Sequence, residues 1–245
     1  MKIPPARRIR TGAILAAAGA AVLAVGGCGG SGGKATHDSA AGSKAPAASA
    51  SPEVLKGSAL KAFLLPASDL PKGFRAEADG TRDSGDGIAP RTSAPVPAKK
   101  VCGALGQTSW IRVTGIGEAA FAQDDYANAG QTEEIAQEID TYHGDDARQV
   151  MAKLRKVFAH CATFTDNSSG SAAKVKVTSA KLRGAGDEGV KAVATSSAWD
   201  GGTTLAAVRV GNAIVTTLYS SSHADKGASA VTLTERVAKK LNTAS

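Results

Sequence analysis

Six carboxylates, Asp124, Asp125, Glu133, Glu134, Glu138 and Asp140, fall within one short stretch of the chain. Carboxylates facing each other across a hairpin can bind Ca²⁺ or serve as a general acid and a general base. A solvated sheet face that discourages edge pairing accounts for the same run, and that is the reading expected here. His160 beside Cys161 sets a base next to a thiol, but neighbours on a helix point about 100° apart and do not face each other. The other histidines, His37, His143 and His223, are scattered, without the short spacing that marks a zinc site. No G-x-S-x-G, H-E-x-x-H or P-loop occurs, and no S-x-x-K is followed by K-T-G. The expectation is a non-catalytic protein with no metal and no cofactor.

Aromatic residues are only 4% of the chain, which draws attention to Trp110 and Trp199, because ligand pockets favour aromatic walls. A core or capping role is the plainer reading of each. A cleft, if formed, is expected where the turn at 199–202 meets the hairpin carrying Phe121 and Tyr126.

Cys28 offers a different chemistry. Lys2, Arg7, Arg8 and Arg10 precede an apolar run over 13–25, and Val25-Gly26-Gly27 place small residues before the cysteine. That is the plan of a secretory signal peptide over 1–27, and a cysteine just after the cut resembles a bacterial lipobox. The resemblance implies diacylglyceryl attachment to the Cys28 sulfur, cleavage before it, and export. The run is shorter than the ~20 residues of a spanning helix and mostly alanine and glycine, which argues against a transmembrane anchor. Arg7-Arg8 lacks the apolar residues that follow the pair in a twin-arginine signal.

Removing residues 1–27 takes away four of the 29 Lys and Arg and none of the 22 Asp and Glu. The remainder is close to charge balance, and no basic block is interleaved with aromatics, so a nucleic-acid surface is not indicated. Residues 28–52 hold the lipidated cysteine and then Gly, Ser, Ala, Lys and Pro with almost nothing to bury, the composition of a disordered tether. As a flexible coil it would span roughly 27 Å. Residues 53–245 suffice for one domain with a core. With Cys28 lipidated, Cys102 and Cys161 in an oxidising compartment are most simply one disulfide.

The elements that position these residues follow from pattern. Ser51-Pro52 opens a helix reaching Leu64, with a serine cap and proline at the first position, and Pro66 ends it. A weak strand over 74–78 precedes a long surface loop over 79–97, and Pro97 opens a short helix bearing Val101, Cys102 and Leu105. Segments 118–126 and 131–142 read as a hairpin closed by Asn128-Ala129-Gly130. Asp146 with Gln149 resembles a capping box for a helix whose Ala147, Met151, Leu154, Phe158 and Cys161 share one face. Strands over 173–182, 190–199, 203–210 and 213–219 form a meander. Its turns are Asp200-Gly201-Gly202 and Gly211-Asn212, where a leading glycine suits type II′. A last helix over 226–242 turns Ala230, Leu233, Val237 and Leu241 inward. Strand blocks flanked by helices, without βαβ alternation, predict an α+β fold: one antiparallel sheet with amphipathic helices packed on it, in a single domain.

Leu64-Leu65-Pro66-Ala67-Ser68-Asp69-Leu70-Pro71 is similar to the LLPAxDLP element of actinobacterial lipoproteins with PknH-like extracellular sensor domains. Cys102 before the strand at 121–126, Cys161 after the long helix, Gly186-Asp187-Glu188 and Val208-Arg209-Val210-Gly211-Asn212 fit the same group in the same order. Together they cover residues 60–241. The resemblance implies a twisted antiparallel sheet under packed helices and a cleft proposed for ligand sensing. Kinase-linked members of the group carry two disulfides where this chain forms one, and without a kinase domain any signal would pass through a partner.

The expectation is therefore a lipoprotein held by Cys28 on the extracytoplasmic face of the cell membrane of a Gram-positive actinobacterium. Its domain would bind a small ligand, a lipid or an envelope component. The alternative is a structural or interaction module that assists a membrane or envelope protein without a ligand pocket.

Overall fold

Along the second half of the chain, apolar side chains alternate between two faces, and in the computed structural model these segments pair into one antiparallel sheet. The structure describes residues 53–168, 171–223 and 225–244. Cys28, the signal and tether over 1–52, His37 and the Ser51-Pro52 helix start lie outside them.

The strands are β1 (Phe74–Ala76), β2 (Arg82–Asp83), β3 (Ala120–Asn128), β4 (Glu134–Thr141), β5 (Thr163–Asp166), β6 (Ala173–Leu182), β7 (Glu188–Thr195), β8 (Gly202–Val210) and β9 (Ala213–Ser221). They pair in the order β1-β3-β4-β9-β8-β7-β6-β5, and β2 also pairs with β3. Among the described residues four α-helices accompany them: α1 (Gly57–Leu60), α2 (Ala98–Ala104), α3 (Asp146–His160) and α4 (Ala228–Ala244).

Strand periodicity explains why both faces are closed. Leu205, Ala207, Ile214 and Leu218 join Val150, Met151, Leu154 and Phe158 of α3 in one core. Their neighbours Ala206, Val208, Val215 and Tyr219 join Ala230, Leu233, Val237 and Leu241 of α4 in the other. The sheet therefore lies between α3 and α4, and β4, β8 and β9 are buried on both sides. This is a single-domain α+β architecture, as the element order predicted. Asp225 caps α4 by accepting the backbone N–H groups of Gly227 at 2.7 Å and Ser229 at 2.8 Å. At the β8–β9 turn Gly211 has φ +59 while Asn212 has no positive φ, as a type II′ turn requires.

Several expectations are corrected. The first helix is only Gly57–Leu60 followed by a 3₁₀ turn at Lys61–Phe63. Tertiary bonds hold the preceding backbone extended: Thr141 Oγ1 donates to the Leu55 carbonyl at 3.0 Å and Asn212 Nδ2 to the Glu53 carbonyl at 3.4 Å. The 79–97 loop is pinned by β2, by a bridge between Ser93 and Ile116, and by Arg91 ion-paired with Asp146. Asp145, not Asp146, occupies the cap position, and Asp146 inside the first turn pairs with Arg91 instead. The hairpin loop is longer than three residues, because the Asn128 side chain accepts the N–H groups of Thr132 and Glu133 and delays β4 to Glu134. β5, a short edge strand on β6, went unread in the sequence.

Candidate functional site

The acidic stretch is not a solvated face. β4 is an inner strand between β3 and β9, and both of its faces are covered by packed chain, so Glu138 and Asp140 are 1% and 0% exposed. Asp124 and Asp125 are buried as well. Alternation then sorts them. Glu138 and Asp140 share the α3 face with Ala136, whereas Ile135, Gln137 and Ile139 face α4. Register sets Gln123 opposite Glu138 and Phe121 opposite Asp140.

A 3₁₀ turn at Trp110–Thr114 closes over this face. Ser109, just before it, donates its hydroxyl to Gln123 Oε1 at 3.3 Å, and Gln123 Nε2 donates to Asp125 Oδ1 at 2.9 Å. Arg82 Nη2 completes that chain on Asp125 Oδ2 at 3.1 Å. Arg112 ion-pairs with Glu118, and Lys153 of α3 donates to the Thr114 carbonyl at 3.1 Å. Gly115 ends the turn at φ +69, with no room beyond its Cα because the Ala94 carbonyl lies there. The disulfide Cys102–Cys161, with a Cα separation of 5.5 Å, ties the preceding helix α2 to the end of α3.

Electrostatics at the site are dominated by burial. Desolvation pushes the Glu138 carboxyl up to about 7, against the opposing pull of Arg112 and the Ser109 hydroxyl. Desolvation, with the neighbouring Glu138 and Glu118 charges, raises the Asp140 carboxyl well above the carboxylate range. The Tyr142 phenol is raised by the same burial and the same acids. Both Asp140 oxygens, Glu138 Oε2 and the Trp110 indole Nε1 have no hydrogen-bond partner. Buried polar atoms are nearly always satisfied in native proteins, so the adjacent Glu138 and Asp140 carboxyls mark a place where hydrogen-bonding capacity is held in reserve. The arrangement can exchange a proton and can accept hydrogen bonds from a small donor.

The four expected cleft residues do not converge. Trp110 is fully buried against Phe158, with ring centroids 5.9 Å apart, in the α3 core. Tyr126 is fully buried in the α4 core, its hydroxyl donating to the Leu65 carbonyl at 2.9 Å. Phe121 and Tyr126 are five residues apart on one strand, so alternation sends them to opposite faces. Trp199 sits half-buried against the α3 core in the β7–β8 turn, its N–H on the Ser196 carbonyl at 3.1 Å, and not on a strand. A separate recess of about 360 Å³ at the outer end of β1 and β3 is lined by Arg75, Glu77, Asn128 and Gln131 among others, and contains none of the four.

The remaining reactive types are placed as follows. Cys161 is in the disulfide, so it offers no thiol beside His160. His143 Nε2 contacts the Ala89 carbonyl at 2.7 Å. His223 Nδ1 lies 3.1 Å from Glu133 Oε1 and 3.0 Å from Ser222 Oγ. A catalytic relay uses the two ring nitrogens for acid and nucleophile separately; here both partners share one nitrogen. Among the described residues no group of three or more His, Cys, Asp or Glu is placed to hold a metal ion. No helix among them is long and apolar enough to cross a membrane.

Sequence reasoning missed Ser109, Arg112, Glu118 and Gln123. The signal available was Arg112 standing alone between Ile111 and Val113, and Glu138 and Asp140 two apart in a strand whose other positions include Ile135 and Ile139. The Leu64–Pro71 motif proves structural. Gln137 Oε1 accepts the Leu65 N–H at 3.0 Å, and Asp69 pairs with Lys240 at 2.9 Å and Arg236 at 3.6 Å on α4.

A nine-stranded antiparallel sheet between two amphipathic helices, with a buried acidic pair under a disulfide-braced turn, defines an α+β domain. Its fold is similar to that in the crystal structure of the extracellular domain of PknH from Mycobacterium tuberculosis, with a TM-score of 0.55 at 14% identity. The likeness covers 78% of this chain and 98% of that one. No family model matches the chain, and no curated protein matches its sequence.

Proposed function

We propose that this chain is a lipid-anchored extracytoplasmic domain that senses or binds and does not catalyse. The lipobox-like Cys28 supports the anchor and the export, and the shared fold with an extracellular domain of a kinase supports the sensing role. One observation carries the assignment of the site: Asp140 is sealed from solvent with no polar partner for its carboxyl oxygens except the neighbouring Glu138 carboxyl. Buried ionisable side chains are costly, and apolar residues of similar size in their place are often neutral or stabilising, so packing alone does not account for the pair. The ligand class this suits is a small molecule that donates hydrogen bonds, an amine above all, entering by displacement of the Trp110–Thr114 turn.

Tryptophan emission of the intact lipoprotein in detergent micelles, titrated with small mono- and diamines, tests this reading. A saturable change in the wild type that is absent in Asp140→Asn is the expected result. No saturable change with any amine would favour the interaction module without a ligand pocket.

A further inference from the structure

On the α4 side of the sheet, the helix covers β8 and β9 and leaves most of β5, β6 and β7 open. β6 alternates buried Ala173, Val175 and Val177 toward α3 with exposed Lys174, Lys176 and Thr178 on the open side. Lys191 of β7 faces the same way, and its Nζ donates to the Lys226 carbonyl at 2.9 Å, which brings exposed Lys226 to the rim. Thr163 and Thr165 of β5 lie in register with Lys176 and Lys174. The acids of these strands, Asp166 and Glu188, alternate to the opposite face, where Glu188 pairs with Arg155 of α3. A chain near charge balance after its N-terminal segment thus presents a strand face with Lys174, Lys176 and Lys191 among Thr178, Ala180 and Val193 and no carboxylate from β5, β6 or β7, while Asp225 beside Lys226 is engaged in capping α4.

We propose that this open face of β5, β6 and β7 docks onto an anionic membrane surface, with Lys174, Lys176, Lys191 and Lys226 meeting phospholipid phosphates. Clustered basic side chains near a bilayer are attracted by its anionic lipids, and the attraction decays within a Debye length. Lysines that merely blunt a sheet edge would stay equally reactive beside any lipid. The Cys28 anchor, proposed above, would keep the face within reach, but docking does not require it.

Lysine acetylation of the mature lipoprotein, read by peptide mass spectrometry, tests the proposal on vesicles of phosphatidylcholine with and without about 30% phosphatidylglycerol. Lys174, Lys176 and Lys226 should react at least about fivefold more slowly on the anionic vesicles, and about 0.5 M salt should remove the difference. Lys156, on α3 across the sheet, should not change. Lys174→Glu with Lys176→Glu should restore Lys226 reactivity. Equal rates on both vesicles would overturn the proposal, and so would protection seen only in intact envelopes, which would point to a protein or polymer partner. Flotation with pure phosphatidylcholine reports the anchor alone. If the protein fails to float there, binding to the anionic vesicles still reports the face directly: salt-sensitive binding supports docking, and no binding overturns it.

Discussion

Glu138 and Asp140 stand two residues apart on β4, project to the same face and are both sealed from solvent, so burial raises the proton affinity of both and the Glu138 charge raises that of Asp140 further. Burial makes the pair a proton-holding element inside the core, where isolated carboxylates are costly.

Stability should fall as pH rises across the neutral range. The folded Glu138 carboxyl sits at about 7, above the ordinary glutamate value of about 4.3. Between these values the native state holds a proton that the unfolded chain releases, so its contribution is present below about 4.3 and lost as pH rises through about 7. Thermal melts from pH 4.5 to 8 should show that decline in the wild type. Asp140→Asn and Glu138→Gln should flatten it, raising Tm at pH 8 more than at pH 5.

Arg112 opposes burial at Glu138 through its positive charge. Arg112→Gln should move the Glu138 midpoint further upward and shift the fall in stability with it. Carboxyl NMR titration of the two proteins gives the comparison; a midpoint unchanged or lowered would show that Arg112 acts on Glu118 alone.

Loss of the disulfide should be the largest single destabilisation. It closes a loop with a sequence separation of 59, worth roughly 4 kcal/mol in the chain-entropy model. Denaturant unfolding of Cys102→Ser with Cys161→Ser measures it, and a change below about 1 kcal/mol would mean the unfolded chain is already compact in this region.

Two bonds grip Leu65, and their removal should differ in cost. Tyr126→Phe deletes the donor to a carbonyl that retains a second lone pair, a loss of about 0.5–1.5 kcal/mol. Gln137→Leu strands the Leu65 N–H, costing about 1–3 kcal/mol. Urea midpoints of both variants would order them.

The fold was largely legible because α3, α4 and the meander carry clean periodicity: Ile214 and Leu218 against Val215 and Tyr219 already name two faces. What periodicity does not convey is how many neighbours a strand has. β4 reads as a polar hairpin arm until β9 is known to pair with it and the Trp110–Thr114 turn to cover it; four of the six acids, Asp124, Asp125, Glu138 and Asp140, are then buried, and Glu133 and Glu134 are half-buried. The cysteine pair was legible from exclusion and from the buried stripe of α3. The cleft failed on a point the sequence did contain, the odd spacing of Phe121 and Tyr126.

The most direct test is a carboxyl ¹³C titration of Glu138 in the intact protein, with the Trp110 indole N–H followed in the same samples. If the buried pair is the responsive element of the domain, Glu138 titrates near 7, and the indole resonance shifts with the same midpoint and stays fixed in Asp140→Asn. A Glu138 midpoint in the ordinary carboxylate range, or a titration that leaves Trp110 unmoved, would contradict it.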